Sequence, residues 1–339
     1  MSSPPAPYAV VVPTLGRPCL ADCLRALAAG EGPAPARVVL VDDRPGEPPP
    51  GECPAPLPLD ALGPLADRAV VLRSGGRGPA AARNTGLRAV QEPWTVLLDD
   101  DVRVGPAWRT ELARDLAGAD PGTGGVQGVL RVPLPDGRPP TDWERNTAGL
   151  ERALWATADM AYRTEALRAV GGFDERFPRA FREDADLALR LIDAGWTIRR
   201  GTRRTEHPVR PADRWVSLRV QRGNADDALM ARLHGPDWWE RAAAPRGRIR
   251  RHAAITAAGA LAVVLAAGGR RTAAACAAGA WLLGTAEFAR ARILPGPRTR
   301  DEVVTMALTS AAIPVLATWH RLAGEVRHRS AGCWDGGGA

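Results

Sequence analysis

Short apolar runs alternate with helix-like patterns along the N-terminal part of the chain. The runs are rich in Val and Leu, and their short length between turn-forming residues is typical of buried strands. They lie at residues 8–13, 37–41, 69–72 and 95–98. Between them, Leu20, Leu24 and Leu27 recur at helical spacing, and residues 79–90 have a helical pattern. This alternation predicts an α/β fold with a mostly parallel sheet that is covered on both faces.

Similar patterns continue through the second third of the chain. We predict strands at residues 125–132, 157–162, 196–199 and 203–207, and helices at 164–170 and 183–194. The segment 44–68 is rich in Pro and Gly and predicts a long surface loop with at most one turn of helix.

The pattern changes beyond about residue 245, where Ala-rich stretches without charge begin. They cover residues 253–269, 272–286 and 303–319, which is 17, 15 and 17 residues. A membrane-spanning helix needs about 20 apolar residues, with about 17 as the lower limit. Each stretch is therefore marginal as a span. We expect membrane contact through 253–323, as a helical hairpin or as interfacial helices. An Ala-rich helical bundle packed on the N-terminal domain is the alternative.

Three parts follow from these patterns. They are an α/β domain over residues 1–240, a helical and membrane-associated region over 241–330, and a disordered tail over 331–339.

The charge is distributed unevenly over these parts. The net charge is +7, but residues 1–240 carry 31 Arg against 33 acidic residues, whereas residues 241–339 carry 14 against 5. The C-terminal Arg residues flank the uncharged stretches, which favours anionic lipid headgroups as partners over nucleic acid. The five Cys are scattered and do not indicate a disulfide framework, so a reducing compartment is expected. We therefore predict a location at the cytoplasmic face of the cell membrane, with the cytoplasm as the alternative.

Two acidic clusters follow predicted strands. Asp42-Asp43 and Asp99-Asp100-Asp101 come directly after apolar runs, and ligands of open α/β sheets bind beyond the carboxyl ends of strands. Adjacent carboxylates repel one another unless a cation or solvent compensates them. Clustered oxygen ligands suit Mg²⁺ or Mn²⁺. A solvated acidic turn is the alternative interpretation.

A third acidic group lies at Glu183, Asp184 and Asp186, on the first turn of a predicted helix. The helix dipole favours acidic residues there in any protein. One carboxylate can also act as a general base, although Asp184 and Asp186 cannot both face one point. His207, before Pro208, can complete a mixed carboxylate and imidazole site, but a lone His is more often a packing residue.

A Gly-rich turn precedes the helix predicted at 79–90. Its glycines let the backbone approach a ligand, and the free N–H groups of the helix suit a phosphate. Arg77 and Arg83 add charged donors. The turn has neither the Walker A spacing nor the dinucleotide-binding spacing.

The order of these motifs resembles the family 2 glycosyltransferases, which have a GT-A fold and use a nucleotide-diphosphate sugar. The resemblance covers roughly residues 8–235. It rests on VVVPTLGRP, VVLVDDRPG, GPAAARNTGL, LLDDDV, GGFDERF, REDADLALRL and EH, in that order. It implies a Rossmann-like mixed sheet flanked by helices. At Arg44-Pro45 the chain departs from the small residues that the family usually has after the nucleoside-binding acidic pair.

The resemblance also implies a role for each matching residue. Asp184 matches the catalytic base and Glu183 its acidic neighbour. The metal ligands, for Mn²⁺ or Mg²⁺, are Asp99, Asp101 and His207. The donor-binding residues are Pro13, Thr14, Arg17, Asp42, Asp43, Arg83, Asn84, Asp99 and Asp100. The acceptor-side residues are Gly172, Phe173, Asp174 and Trp215.

The implied activity is inverting transfer of a sugar from a nucleotide-diphosphate sugar to an acceptor hydroxyl. The expected acceptor is a glycan or a lipid-linked molecule, in cell-envelope, glycolipid or polysaccharide synthesis. Two alternatives stay open. One is a nucleotidyltransferase that makes the activated sugar, and the other is an inactive, membrane-bound protein that binds sugar nucleotides.

Overall fold

The computed structural model describes residues 6–46 and 56–334. Contacts divide the chain into two units. The first contains Met1–Pro133, Leu150–Arg210 and Trp334–Ala339, and the second contains Leu134–Gly149 and Pro211–Cys333. The division at residues 240 and 330 stays a prediction, and residues 335–339 of the predicted tail lie outside the described residues.

The first unit is built on a mixed sheet of eight strands in the order β3-β2-β1-β4-β7-β6-β8-β5. The strands are β1 Tyr8–Thr14, β2 Arg37–Asp42, β3 Ala69–Arg73, β4 Trp94–Leu98, β5 Arg103–Val104, β6 Thr123–Arg131, β7 Asp159–Arg163 and β8 Thr197–Glu206. Strands β3, β2, β1 and β4 run parallel, and β7 runs antiparallel to both β4 and β6. The predicted mixed sheet flanked by helices is confirmed.

Twelve α-helices are described. They are α1 Cys19–Ala29, α2 Pro79–Ala89, α3 Trp108–Ala117, α4 Asp142–Ala148, α5 Thr164–Ala169, α6 Glu183–Asp193, α7 Val216–Arg219, α8 Asn224–His234, α9 Trp238–Arg241, α10 Ile249–Ala267, α11 Arg271–Ile293 and α12 Arg300–Arg327. Short 3₁₀ segments lie at Leu59–Arg68, Gly149–Arg152 and Val220–Gly223.

The core of the first unit lies between the sheet and its helices. The apolar face of α1, formed by Leu20, Leu24 and Leu27, is fully buried against β-branched residues of the strands such as Val10 and Val38. Burial of one such side chain contributes roughly 1.5–3 kcal/mol. The continuous apolar strands therefore occupy the interior that their sequence predicts.

Two sequence-based expectations are wrong. The strands predicted at 196–199 and 203–207 form one strand, β8, which pairs with β6 through an irregular register between Gln127 and Val129. The segment 44–68 is not only a loop, because Leu59–Arg68 forms a 3₁₀ segment with Leu62 and Leu65 buried. Leu59 and Leu62 are three residues apart, which is the 3₁₀ period, and the segment bends at Gly63 before Leu65. Residues 47–55 of that segment lie outside the described residues.

The second unit contains the long helices α10, α11 and α12. Among the described residues, α10 and α12 are long and apolar enough to cross a membrane, with a mean hydropathy of 1.4 over the window tested. Only 11% of the α10 window is buried, against 33% for α12. Exposed apolar side chains include Val263, Leu283 and Trp319, which are 69%, 75% and 66% exposed. These helices thus present an unusual amount of apolar surface.

Candidate functional site

A cleft of about 530 Å³ opens at the carboxyl ends of β1, β2 and β4. This is where the topology of an open α/β sheet places ligands. Its lining includes eight residues predicted for the donor or metal site, and they are Pro13, Thr14, Arg17, Asp43, Arg83, Asp99, Asp100 and Asp101. Arg210 also lines the cleft, as does the segment 178–180.

Three ligand-type side chains converge, and two of them, Asp99 and Asp101, line the cleft. One atom each of Asp99, Asp101 and His207 lie within 4.8 Å of one another. His207 follows β8, and its backbone N–H donates to the carbonyl of Arg131 in β6 at 2.7 Å. This backbone bond places the ring Nε2 at 3.7 Å from Asp101 Oδ1. Two carboxylates and an imidazole suit Mn²⁺ or Mg²⁺.

The electrostatics of Asp101 also suit a cation. Burial and the nearby Asp99 carboxylate raise the pKa of Asp101, and the charges of His207 and Arg210 act in the opposite direction. The Nε of Arg210 lies 2.8 Å from Asp101 Oδ2. A divalent ion would stabilise the ionised carboxylates in the same way and more strongly.

Asp100 faces away from this group. It accepts a hydrogen bond from Thr14 Oγ1 at 2.7 Å and one from Arg17 Nη1 at 3.3 Å. The middle residue of the acidic triplet therefore fastens the end of β1 to the end of β4, while its two neighbours face the predicted metal position.

Arg83 connects the predicted metal site to helix α6. Its side chain is 2% exposed and donates from Nη1 to Glu183 Oε1 at 2.7 Å and from Nη2 to Asp99 Oδ1 at 3.0 Å. The guanidinium carbon lies 5.5 Å from the ring centroid of Phe173. The guanidinium of Arg83 thus contacts Asp99 of the predicted metal site, Glu183 beside the predicted base, and Phe173 of the predicted acceptor loop.

The first turn of α6 holds the predicted base. Burial, and after it the charge of Asp184, raises the pKa of Glu183 to about 8. Burial also raises the pKa of Asp184, whose Oδ1 accepts from the N–H of Ala185 at 2.7 Å. Asp186 is fully buried and paired with Arg190 at 2.7 Å. The expectation that Asp184 and Asp186 do not share one point is confirmed.

The backbone just before α6 is strained. Arg182 has a φ of 76° and a ψ of −15°, in the left-handed region that a non-Gly residue rarely adopts. Such strain costs on the order of 1–3 kcal/mol and persists only where neighbouring contacts hold it. It places Glu183 and Asp184 together at the start of the helix.

The acidic pair after β2 is engaged by the protein itself. Asp42 accepts from the backbone N–H, Nε and Nη2 of Arg44 at 3.0, 2.8 and 2.6 Å. Asp43 accepts from Ser74 Oγ, Arg77 N and Gly78 N at 2.7, 3.0 and 2.9 Å. Asp43 therefore shapes the Gly-rich turn, and a donor contact by Asp42 stays a prediction.

Asn84 was predicted to bind the donor, but its side chain is hydrogen-bonded to the predicted acceptor loop. Asn84 Nδ2 donates to the carbonyl of Phe173 at 2.8 Å, and Asn84 Oδ1 accepts from the N–H of Phe173 at 2.8 Å. Gly172 has a φ of 74°, and a Cβ there would lie 2.6 Å from Asn84 Oδ1. Asp174 pairs with Arg176 at 2.6 Å. Trp215 belongs to the second unit and is 42% exposed.

Two charged residues of this region were not predicted from the sequence. Arg210 pairs with Asp101, and Glu175 accepts from Asn84 Nδ2 at 3.0 Å and from Arg77 Nη1 at 3.0 Å. Glu175 lies within the motif GGFDERF, so its position was a usable signal. Arg210 follows His207 by three residues, but no spacing rule in the sequence singles it out.

A family comparison agrees with this geometry. Residues 9–141 match the model described as glycosyl transferase family 2. The matched region contains strands β1 to β6 and the whole acidic triplet. This part of the chain is therefore similar to that family.

Curated relatives and a solved structure are similar to the chain. Pre-mycofactocin glycosyltransferases from two strains of Mycobacterium tuberculosis are 32% identical over 177 residues, covering 48% of this chain and 35% of each relative. The chain thus spans about a third of the length of those relatives. A mannosyltransferase from Pyrobaculum calidifontis, solved with GDP-Man and Mn²⁺, aligns at a TM-score of 0.55 and 20% identity. That alignment covers 94% of this chain and 87% of the other and shows a shared fold.

Proposed function

We propose that this chain is a metal-dependent, inverting glycosyltransferase that uses a nucleotide-diphosphate sugar, with its catalytic domain in residues 1–240. The observation that carries the proposal is the convergence of Asp99, Asp101 and His207, with both carboxylates lining the cleft. The family match over residues 9–141 supports it. So does the similarity to glycosyltransferases, one of which was solved with Mn²⁺ and a nucleotide sugar.

Asp99, Asp101 and His207 would hold Mn²⁺ or Mg²⁺. Bound there, the ion would neutralise the charge that develops on the leaving diphosphate, which is worth several kcal/mol. Arg17, Arg83 and Arg210 contact the surrounding carboxylates and set the local balance of charge. The N–H groups at the start of α2 are available to phosphate oxygens.

Asp184 acts as the base in this proposal. Its carboxylate accepts the proton of the acceptor hydroxyl as that oxygen attacks the anomeric carbon. A carboxylate whose pKa is raised by burial binds the proton more strongly than a solvated one does, which suits a base near neutral pH. One displacement inverts the anomeric configuration.

The test uses the full chain with a panel of nucleotide sugars. We expect release of nucleoside diphosphate in the presence of MnCl₂ and none with EDTA. Consumption of a nucleoside triphosphate with release of pyrophosphate would instead support a nucleotidyltransferase. Binding of nucleotide sugars without any release, with and without candidate acceptors, would support an inactive binding protein.

The second unit supports a place at the cytoplasmic face of the membrane, where a glycan or lipid-linked acceptor would be used in envelope, glycolipid or polysaccharide synthesis. The contact with lipid would run through residues 253–323. Exposed Leu261, Leu282 and Leu283 provide apolar area, and exposed Arg250 and Arg251 provide positive charge for anionic headgroups.

Vesicle flotation tests this contact. We expect the chain to float with vesicles of anionic lipid, and the double variant Leu282→Asp with Leu283→Asp to remain largely in the soluble fraction. Leu154→Asp changes an equally apolar side chain of the first unit, which is 41% exposed, and should float like the unmodified chain. Equal flotation of all three proteins would exclude the proposed surface.

A further inference from the structure

Helices α10 and α11 form an antiparallel hairpin with a tight turn between them. Near the start of α10, Arg248 pairs with Glu287 of α11 at 3.1 Å. Further along, a Cβ on Gly284 would lie 2.7 Å from the side chain of Ile255. The charged end of α11 therefore lies beside the first turn of α10, and the uncharged runs of the two helices lie side by side.

The uncharged part of this hairpin is short for a membrane crossing. It has 17 residues in α10, 253–269, and 15 in α11, 272–286, which correspond to about 25 and 22 Å of helix. The hydrocarbon core of a bilayer is about 30 Å thick. Helix α11 is also not apolar enough by the criterion that α10 and α12 meet. Because the two helices lie side by side, α10 cannot cross a bilayer without α11.

Helix α12 does not complete the apolar layer of the hairpin. Arg292, at the end of α11, donates to Thr309 Oγ1 at 2.8 Å, and Thr318 Oγ1 lies 3.4 Å from Thr256 Oγ1 in α10. Helix α12 therefore runs in the same direction as α10. Its uncharged run, 303–319, is displaced along the helix axis and overlaps little more than the first turn of the uncharged run of α10.

Charged groups of α12 and α8 lie alongside the uncharged run of α10 instead. Arg321 and Glu325 follow Thr318 by three and seven residues, which is at most about 10 Å along the helix axis. They pair with each other at 2.7 Å, and Arg232 of α8 lies 3.6 Å from Glu325. A hydrocarbon layer around residues 253–269 would therefore contain three charged groups, which are costly inside a membrane.

Arginines lie at both ends of the uncharged run of α10. Arg248, Arg250 and Arg251 precede it, and Arg270 and Arg271 follow it. A crossing helix would place these two groups on opposite sides of the membrane, against the usual excess of positive charge on one side. A helix that lies parallel to the membrane lets both groups contact the phosphates of the same leaflet.

We propose that the α10–α11 hairpin lies in the plane of one leaflet of an anionic bilayer and does not cross it. The inference rests on the lipid contact of the proposed function and specifies its geometry. Leu261 and Val264 of α10 and Leu283 of α11 are exposed and available to the acyl chains. Arg270 and Arg271 lie at the headgroups. Both ends of the hairpin and the C-terminal end of α12 then stay on one side of the membrane.

Thiol labelling tests this geometry. The full chain is produced in bacterial cells as the double variant Thr272→Cys with Cys276→Ser, and a membrane-impermeant maleimide is added to intact cells or to disrupted membranes. Thr272 is exposed beside the turn of the hairpin, and Cys333 is an exposed native thiol beyond α12. We expect neither thiol to react in intact cells and both to react in disrupted membranes. Peptide mass spectrometry identifies the labelled position.

Asp193→Cys is the matched control, because it places a thiol at the exposed end of α6 in the first unit. It should be labelled only in disrupted membranes. An exported host protein with an exposed thiol verifies that the reagent is active outside intact cells. Labelling of Thr272→Cys in intact cells would show that the hairpin crosses the membrane, and labelling of Cys333 would show that α12 crosses it. Either result would overturn the inference and leave the lipid contact itself standing.

Partition onto preformed vesicles that contain phosphatidylglycerol tests the role of the arginines. Arg270→Gln with Arg271→Gln should lower the partition coefficient about tenfold or more, because each arginine near an anionic surface contributes about fivefold. Arg88→Gln with Arg152→Gln makes the same change of charge at exposed positions of the first unit and should change it by less than about twofold. Equal partition of the two double variants would overturn the contact with headgroups.

Failure of the proposed lipid contact gives a different result. If the unmodified chain does not float with anionic vesicles, the lipid contact is wrong, and this inference is wrong with it. A chain that does not float and sediments as a dimer would assign the exposed apolar surface to a second copy of the chain.

Discussion

Two buried ionic networks of the first unit differ in how completely their hydrogen bonds are satisfied. In the network around Arg203, which is fully buried, Nε donates to Asp159 Oδ1 at 2.8 Å and Nη1 to Asp115 Oδ2 at 3.1 Å. Nη2 donates to the carbonyl of Val126 at 2.7 Å. Asp159 Oδ2 accepts from Trp108 and Thr205. This network ties α3, β6, β7 and β8 together.

The network around Arg83 is less complete. The Nε of Arg83 and the Oε2 of Glu183 are buried and have no hydrogen-bond partner within the part of the chain that the structure describes. An unsatisfied buried polar atom costs about 1–3 kcal/mol. Proteins keep such costs mainly at functional sites. We infer from the contrast that the Arg203 network serves the fold, and the incomplete Arg83 network fits the site proposed beside it.

The largest expected effect is on chemistry and leaves both networks intact. Asp184→Asn keeps the shape of the side chain but removes the acceptor for the proton. We expect turnover to fall by roughly 10²–10⁴-fold, while the affinity for a nucleotide sugar with Mn²⁺ stays the same within experimental error. Steady-state kinetics and calorimetry measure the two quantities. Asp193→Asn, an exposed change at the other end of α6, should behave as the unmodified chain. Near-normal turnover in Asp184→Asn would refute its role as base.

The next effect is on stability and concerns Arg203. Arg203→Met leaves Asp159 and Asp115 buried without their cation, so we expect a loss of about 3–5 kcal/mol in the free energy of unfolding. Denaturant titration measures it. Arg200→Met, an exposed position on the same strand, should change stability by less than about 0.5 kcal/mol. A loss below about 1 kcal/mol in Arg203→Met would contradict a structural role for this network.

Substitution of Arg83 should reduce turnover more than it reduces stability. In Arg83→Gln, Glu183 can remain protonated because its pKa is raised, and the Asp99 side chain is 27% exposed. We therefore expect a smaller loss of stability, about 1–2 kcal/mol, but a loss of turnover of about tenfold or more. The same denaturant titration and kinetic assay apply. A stability loss equal to that of Arg203→Met would remove the distinction between the two networks.

The last prediction concerns the pH dependence of stability. The folded state raises the pKa of Glu183 from 4.5 to about 8, so between these values it binds a proton that the unfolded chain has lost. Glu183 therefore favours folding less and less as the pH rises through this window. We expect Tm of Glu183→Gln, relative to the unmodified chain, to rise with pH from 4.5 to about 8. A difference that is constant with pH, or that falls, would contradict the raised pKa.

Much of the fold was predictable from the sequence because its strands are continuous apolar runs. The pattern placed β1 to β4 and α6 to within a few residues. It failed at β8, where Arg199, Arg200, Arg203 and Arg204 interrupt the apolar pattern of a strand. Arg203 can be buried there because Asp115 and Asp159, which are distant in sequence, form ion pairs with it.

Part of the candidate site was predictable, because the position of some residues along the chain determines where they lie in the fold. Acidic residues that end parallel strands must share one edge of the sheet, which brought Asp99 and Asp101 to the cleft. The engagement of Asp42 by Arg44 and of Asn84 by Phe173 was not predictable, because both depend on side-chain directions within loops. The resemblance to a family supplied roles for these positions but not their hydrogen-bond partners.

The central claim is that Asp99, Asp101 and His207 hold one divalent ion together with the phosphates of the donor. Electron paramagnetic resonance of Mn²⁺, titrated with the chain in the presence of GDP or UDP, measures this directly. We expect one bound ion per chain, and its loss in the double variant Asp101→Asn with His207→Gln. Mn²⁺ binding of the same strength in that variant would show that these residues do not hold the ion.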